Sequence, residues 1–116
     1  MLKKKLFLLG KVESYHIVES LHVQEVVENV NKNLKNGFIL AGPPSVVFNK
    51  VIQKMAKVNP DARLDERQKV SDYAFIVSGD RLQFEREMNR FNSRGYVPYG
   101  DILTYAKLFV QAMIKF

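Results

Sequence analysis

The stretch Tyr73-Ala74-Phe75-Ile76-Val77-Ser78-Gly79-Asp80 decides the fold, because it reads as a strand running into a helix start and a second version of it lies 58 residues earlier. Tyr73 to Val77 is rich in aromatic and β-branched residues and forms the strand, and Ser78-Gly79-Asp80 is the turn out of it. The helix that follows buries Phe84, Met88 and Phe91 at helical spacing, and Gly95 closes it. In the earlier version, Tyr15 to Glu19 alternates as a strand and Ser20 is expected to cap a helix with apolar positions Val23, Val26, Val27, Val30 and Leu34. Gly37 stops that helix, because a residue without a Cβ takes the left-handed conformation of a helix end without steric cost.

Working outward, the match is ungapped from Lys11–Lys57 onto Lys69–Lys115. It pairs Val12 with Val70, Ser20 with Ser78, Asn31 with Asn89, Gly42 with Gly100, Gln53 with Gln111 and Met55 with Met113. Each copy reads as strand, helix, strand, strand. Gly42-Pro43-Pro44-Ser45 and Gly100-Asp101 are expected at matched hairpin turns, followed by long final strands from Val46 to Ala56 and from Leu103 to Lys115. The expected fold is α+β: two tandem βαββ repeats in one domain over residues 1–116, forming a pseudo-twofold two-layer sandwich with helices on one side of antiparallel or mixed sheet. Repeat one spans 11–57, a linker of loop composition spans 58–68, and repeat two spans 69–115. Leu6 to Leu9 is expected to add a short extra strand.

The second copy also resembles a small domain-of-unknown-function family of bacteria and their phages. The residues that carry the resemblance are Tyr73 to Asp80, Met88-Asn89, Gly95-Tyr96-Val97-Pro98-Tyr99-Gly100 and Gln111-Ala112-Met113. Repeat one keeps Val30-Asn31, Gly37-Phe38, Gly42, Gln53 and Met55 of that pattern. Tyr96 and Phe38 stand where the family has tryptophan, and repeat one ends in Gln53-Lys54-Met55 rather than Gln-Ala-Met. The resemblance implies an accessory protein of phage or bacterial type acting in the cytoplasm, the host's if phage-encoded.

Composition narrows the chemistry. The 116 residues are 47% hydrophobic and 26% charged, which suits one ordinary core and excludes disordered and collagen-like classes. No apolar run approaches the length of a membrane helix, so a soluble protein without membrane partners is expected. The absence of cysteine removes disulfides, thiolate metal sites and cysteine nucleophiles. His16 and His22, six apart across a strand-to-helix change, match no metal or triad spacing, and no carboxylate pair is set up for acid and base roles. Gly42-Pro43-Pro44-Ser45 lacks the ending of a phosphate loop. No enzyme, cofactor or metal is expected. The net charge of +6 favours anionic partners, although residues 1–58 hold nine Lys against four Glu and residues 59–116 nine Lys or Arg against eight acids.

Candidate binding residues come from strand parity. Tyr105, Lys107, Phe109, Gln111 and Met113 are expected on one face of the final strand, opposite the small apolar face under the helices. Tyr73 and Phe75, with Tyr15, Ile17, Gln53 and Met55 from repeat one, are expected to extend that aromatic face. Two readings stand: a face covered by a second copy or second layer, and a platform where Tyr73, Tyr105, Phe109 and Tyr15 stack on a ligand held by Lys107, Gln111 and Gln53. Arg63 and Arg67 in the linker fit an anion clamp, with Asp61, Asp65 and Glu66 near enough to neutralise them. Arg81, Arg86, Arg90 and Arg94 lie among Glu85 and Glu87 as a solvated helix face. The expected function is a non-enzymatic, self-associating binding protein that sequesters an anionic small molecule such as a nucleotide. The alternative is an interaction module for nucleic acid or a host protein such as a polymerase.

Overall fold

The computed structural model describes residues 12–59 and 69–116, and within them each repeat folds as a βαββ unit. Repeat one comprises β1 (Val12–Ser20), α1 (Val23–Leu34), β2 (Phe38–Leu40), β3 (Ser45–Val47) and β4 (Lys50–Val58). Repeat two comprises β5 (Asp72–Ser78), α2 (Arg81–Ser93), β6 (Tyr96–Tyr105) and β7 (Leu108–Lys115). Every ladder is antiparallel. The last strand is central in both sheets, giving β1-β4-β2 with β3 also on β4, and β5-β7-β6. The α+β architecture of two tandem units, two packed sheets and their helices is therefore as the repeat implies.

Three local expectations change. The long final strands are each two strands folded back at Phe48-Asn49 and at Ala106-Lys107, not at the glycines. All four turn residues have positive φ, at 50° and 60° in repeat one and 50° and 64° in repeat two. Positive φ at both central positions is the type I′ pattern, whose twist matches that of paired strands. Gly42-Pro43-Pro44 instead separates β2 from β3 along the same edge of β4, and Gly100-Asp101 lies inside β6 where the register shifts between Tyr99 and Leu103. Ser20 does not cap α1. His22 holds that position, while the Ser20 hydroxyl accepts the His22 N–H at 3.0 Å and donates to Glu25. The extra strand expected at Leu6 to Leu9 lies outside the described residues.

The register also reassigns the faces. Tyr73 pairs with Ile114 and Phe75 with Ala112, while Tyr15 pairs with Ala56 and Val18 with Gln53. Directly paired residues share a face, so the tyrosines lie opposite Gln53, Met55, Gln111 and Met113 rather than beside them. Each helix packs on the glutamine and methionine face of its own sheet. In repeat two, Phe84 of α2 is buried with Ile76, Tyr96 and Met113. In repeat one, Val26 and Val30 of α1 join Val18, Val51 and Met55, and this same cluster takes in Tyr73, Ala112 and Ile114 from repeat two. The tyrosine face of repeat two thus rests on the helix side of repeat one. Close approach there needs Gly100, because a Cβ on it would stand 2.6 Å from that of Pro43.

Candidate functional site

The best-ordered polar constellation is the seat of Tyr73. Its phenol is fully buried and donates to Gln53 Oε1 at 2.7 Å. The Gln53 amide is held in turn by donating to the carbonyls of Gly42 and Lys54 at 2.6 and 2.9 Å. Asn31 of α1 grips the same tyrosine by its main chain, donating to the Tyr73 carbonyl at 2.8 Å and accepting its N–H at 3.0 Å. Burial, with Tyr99 adding to it, drives the Tyr73 phenol far above its ordinary pKa, so it acts as a neutral donor. Tyr73 and Gln53, expected on a ligand platform, therefore join the two repeats. Ser, Thr, Asn or Gln in apolar strands demand partners when buried, and here the partner is the other half of the chain.

Of the remaining residues expected on that platform, Tyr105 packs against the core cluster that holds Tyr73, and the others that lie among the described residues stand outside that cluster. Gln111 is buried and donates to the carbonyls of Tyr99, Gly100 and Ala112 at 3.3, 3.2 and 3.0 Å. Phe109 is half-buried against Phe84, with ring centroids 5.7 Å apart. Tyr105 lies before the repeat-two hairpin, its phenol donating to the Leu21 carbonyl, and Lys107 is exposed in the hairpin itself. Tyr15 is exposed on the opposite side of repeat one, with the Lys54 ammonium 5.9 Å from its ring centroid. Arg63 and Arg67 lie outside the described residues. The arginines of α2 form ordinary surface pairs, Arg81 with Glu85 at 3.2 Å and Arg90 with Glu87 at 2.8 Å.

A concave site lies elsewhere, between β1 and α1. It is an open cleft of about 350 Å³ lined by His16, Ile17, Val18 and Glu19 of the strand and by Asn29, Lys32 and Asn33 of the helix, with the His16 and Val18 side chains on the helix-facing side of the strand. Lys32 is exposed and free to turn toward a ligand, and Asn33 makes only a weak contact of 3.7 Å to the Met55 sulfur. The Glu19 carboxylate lies on the other face of the strand, where it pairs with Lys50 at 4.0 Å. Phe38 flanks His16, with centroids 6.0 Å apart. Strand parity does not reveal this cleft, because the tyrosines and phenylalanines that mark the strand faces do not line it. Its sequence signal is the polar spacing of Asn29, Lys32 and Asn33, which lies beside the apolar stripe Val26 and Val30 on the same helix.

Among the described residues no group of three His, Asp or Glu side chains stands close enough to hold a metal ion, and no helix is long and apolar enough to cross a membrane. Comparison with family models, with curated proteins and with solved structures gave no match to this chain.

Proposed function

We propose that the chain is a non-enzymatic binding protein that holds an anionic small molecule, of which a nucleotide is the expected kind, in the cleft between β1 and α1. The observation that carries this reading is the composition of that cleft, where Lys32, His16 and the amides of Asn29 and Asn33 converge on one concavity of ligand size. A lysine ammonium is a compact partner for phosphate, and amides read the polar edges of a base or sugar. No Ser, Thr or Cys lines the cleft beside His16 to serve as a nucleophile, and we read it as a site of affinity without turnover. The resemblance of Tyr73 to Asp80 and Gln111 to Met113 to the phage and bacterial family, which no family-model match accompanies, is the one support for an accessory protein of the cytoplasm, the host's if phage-encoded.

Native mass spectrometry of the purified protein, followed by calorimetric titration with adenine and guanine nucleotides, tests this. A bound species absorbing near the nucleobase band is expected, with affinity falling about tenfold or more in Lys32→Ala, the loss typical of one charge-assisted bond. Failure of every nucleotide to bind, or full affinity in Lys32→Ala, overturns it. A second reading, an interaction module for nucleic acid or a host protein, draws on the half-exposed Tyr15 and Ile17 beside Lys54. Binding that spans many phosphates weakens steeply with salt, whereas a ligand held in a cleft does so far less.

A further inference from the structure

We propose that the protein associates head to tail with a second copy of itself, Tyr15 of one copy seating on Asn89 and Gln111 of the next as Tyr73 seats on Asn31 and Gln53 within the chain. This goes beyond the ligand reading and does not depend on it. The interface inside the molecule joins unlike surfaces: repeat one supplies the seat and repeat two supplies the tyrosine. Because the repeats are equivalent, each leaves the complementary half unused, a tyrosine on repeat one and a seat on repeat two.

The unused seat is already arranged. Gln111 Nε2 is tied to the carbonyls of Gly100 and Ala112, which are the counterparts of the Gly42 and Lys54 carbonyls that tie Gln53. The same two anchors orient the two amides alike. In repeat one the resulting Oε1 takes the Tyr73 hydroxyl, whereas among the described residues no donor reaches Gln111 Oε1. No fully buried side-chain polar atom of the described residues lacks a partner, so this oxygen keeps a small solvent-accessible area although Gln111 as a whole is only 2% exposed. Asn89, the counterpart of Asn31, is exposed on α2 and bonds nothing among the described residues.

The unused tyrosine matches as closely. Tyr15 faces Ala56 across the ladder as Tyr73 faces Ile114, and these partners are again 58 residues apart. Among the described residues both tyrosines lie on the first strand of their repeat at the edge of its sheet, and their equivalent register gives Tyr15 the main-chain orientation of Tyr73, whose N–H and C=O Asn31 grips. Tyr15 is 53% exposed and Ile17 next to it on that face 48%, whereas Tyr73 is fully buried.

The intermolecular contact is expected to be weaker than the internal one. Repeat two has Arg81 and Glu85 where α1 has Val23 and Val27, and Phe109 where β4 has Val51, so its seat is more polar at the rim and shallower at the floor. It also lacks the effective concentration that a short linker gives the internal pair. Unlike surfaces that pair in this way build rings or open chains rather than closed twofold dimers.

Sedimentation velocity across a range of protein concentrations tests the proposal, using Tyr15→Ala to remove the tyrosine and Asn89→Ala to weaken the seat. Both positions are exposed, and circular dichroism melts of each variant confirm that the fold is kept. The wild-type protein is expected to associate as concentration rises, and each variant to associate about tenfold more weakly or worse. Mixing the two variants is decisive: Asn89→Ala still offers a tyrosine and Tyr15→Ala an intact seat, so together they recover a one-to-one dimer that grows no further. A wild-type protein that stays monomeric, variants that associate like wild type, or a mixture with no recovery each overturn head-to-tail pairing.

Discussion

The two repeats carry the same asparagine, glutamine and tyrosine at the same places, yet Asn31 and Gln53 both bond Tyr73, whereas Gln111 is buried on main-chain carbonyls alone and Asn89 and Tyr15 are exposed. In repeat one, Asn31 and Gln53 hold Tyr73 by three hydrogen bonds, and the phenol is buried from solvent. In repeat two, Asn89 and Gln111 keep the geometry without the occupant, and Tyr15 lies half in water. Identical residues therefore differ in energy according to what the rest of the chain brings to them. The worth of each can be measured by changing the same residue in both repeats.

The largest difference is expected at the tyrosines. Tyr73→Ala removes a fully buried ring and leaves Gln53 Oε1 without its donor, at a cost of about 3–5 kcal/mol from the cavity and the orphaned acceptor together. Tyr15→Ala should lie within about 0.5 kcal/mol of wild type, as exposed positions do. Urea unfolding at dilution low enough to keep the chain monomeric reads both. Equal losses at the two positions would mean that Tyr15 is already packed in the monomer and would break the comparison.

How much of this was legible follows from which residues carry their own geometry. The strand at Tyr73, the helix stripe of Phe84, Met88 and Phe91, and the stops at Gly37 and Gly95 are written locally, and both glycines take positive φ, 86° and 93°. The hairpins were hidden because their turns use Phe48-Asn49 and Ala106-Lys107, three of which are not residues that favour the left-handed region. Gly42 and Gly100, the visible turn signals, serve instead to break one edge strand and to let Gly100 approach Pro43. Once each final strand was read as one piece, its pairing with β1 or β5 could not be registered, and Tyr73 fell on the wrong face. The seat at Asn31 could not be seen either, since its bond to Tyr73 spans 42 residues and no spacing rule links them.

A smaller effect sharpens the comparison from the side of pH. Burial, then the neighbouring Tyr99, raises the Tyr73 phenol above its ordinary value of 10.0, and burial raises Tyr99 itself against a hydrogen bond to the Gly42 main chain that lowers it. Groups raised in the folded state keep their protons when the unfolded chain has already lost them. Their contribution to stability is therefore whole below about pH 10 and drains as pH climbs toward the folded value, at about 1.4 kcal/mol per pH unit for each such group. Tyr73→Phe should flatten that decline in urea midpoints measured above pH 10, and a slope unchanged by the substitution would show that the phenol titrates freely in the folded protein.

The smallest expected difference lies at the helix starts, where the cap position is His22 in repeat one and Asp80 in repeat two. In repeat two the Asp80 carboxylate accepts the Leu82 N–H at 3.0 Å, and the Ser78 hydroxyl accepts the Asp80 N–H at 3.1 Å to set the turn. Ser20 does the same for His22 at 3.0 Å, but His22 offers α1 no side-chain cap although its backbone angles nearly match those of Asp80. The turn is thus built in both copies and the cap in only one. Asp80→Ala should cost about 1 kcal/mol, and His22→Asp should gain about 0.5–1 kcal/mol by adding a carboxylate at the positive end of the α1 dipole. Thermal melts resolve changes of that size, and a His22→Asp protein no more stable than wild type would show that the end of α1 is held by its packing between the two repeats rather than by its first turn.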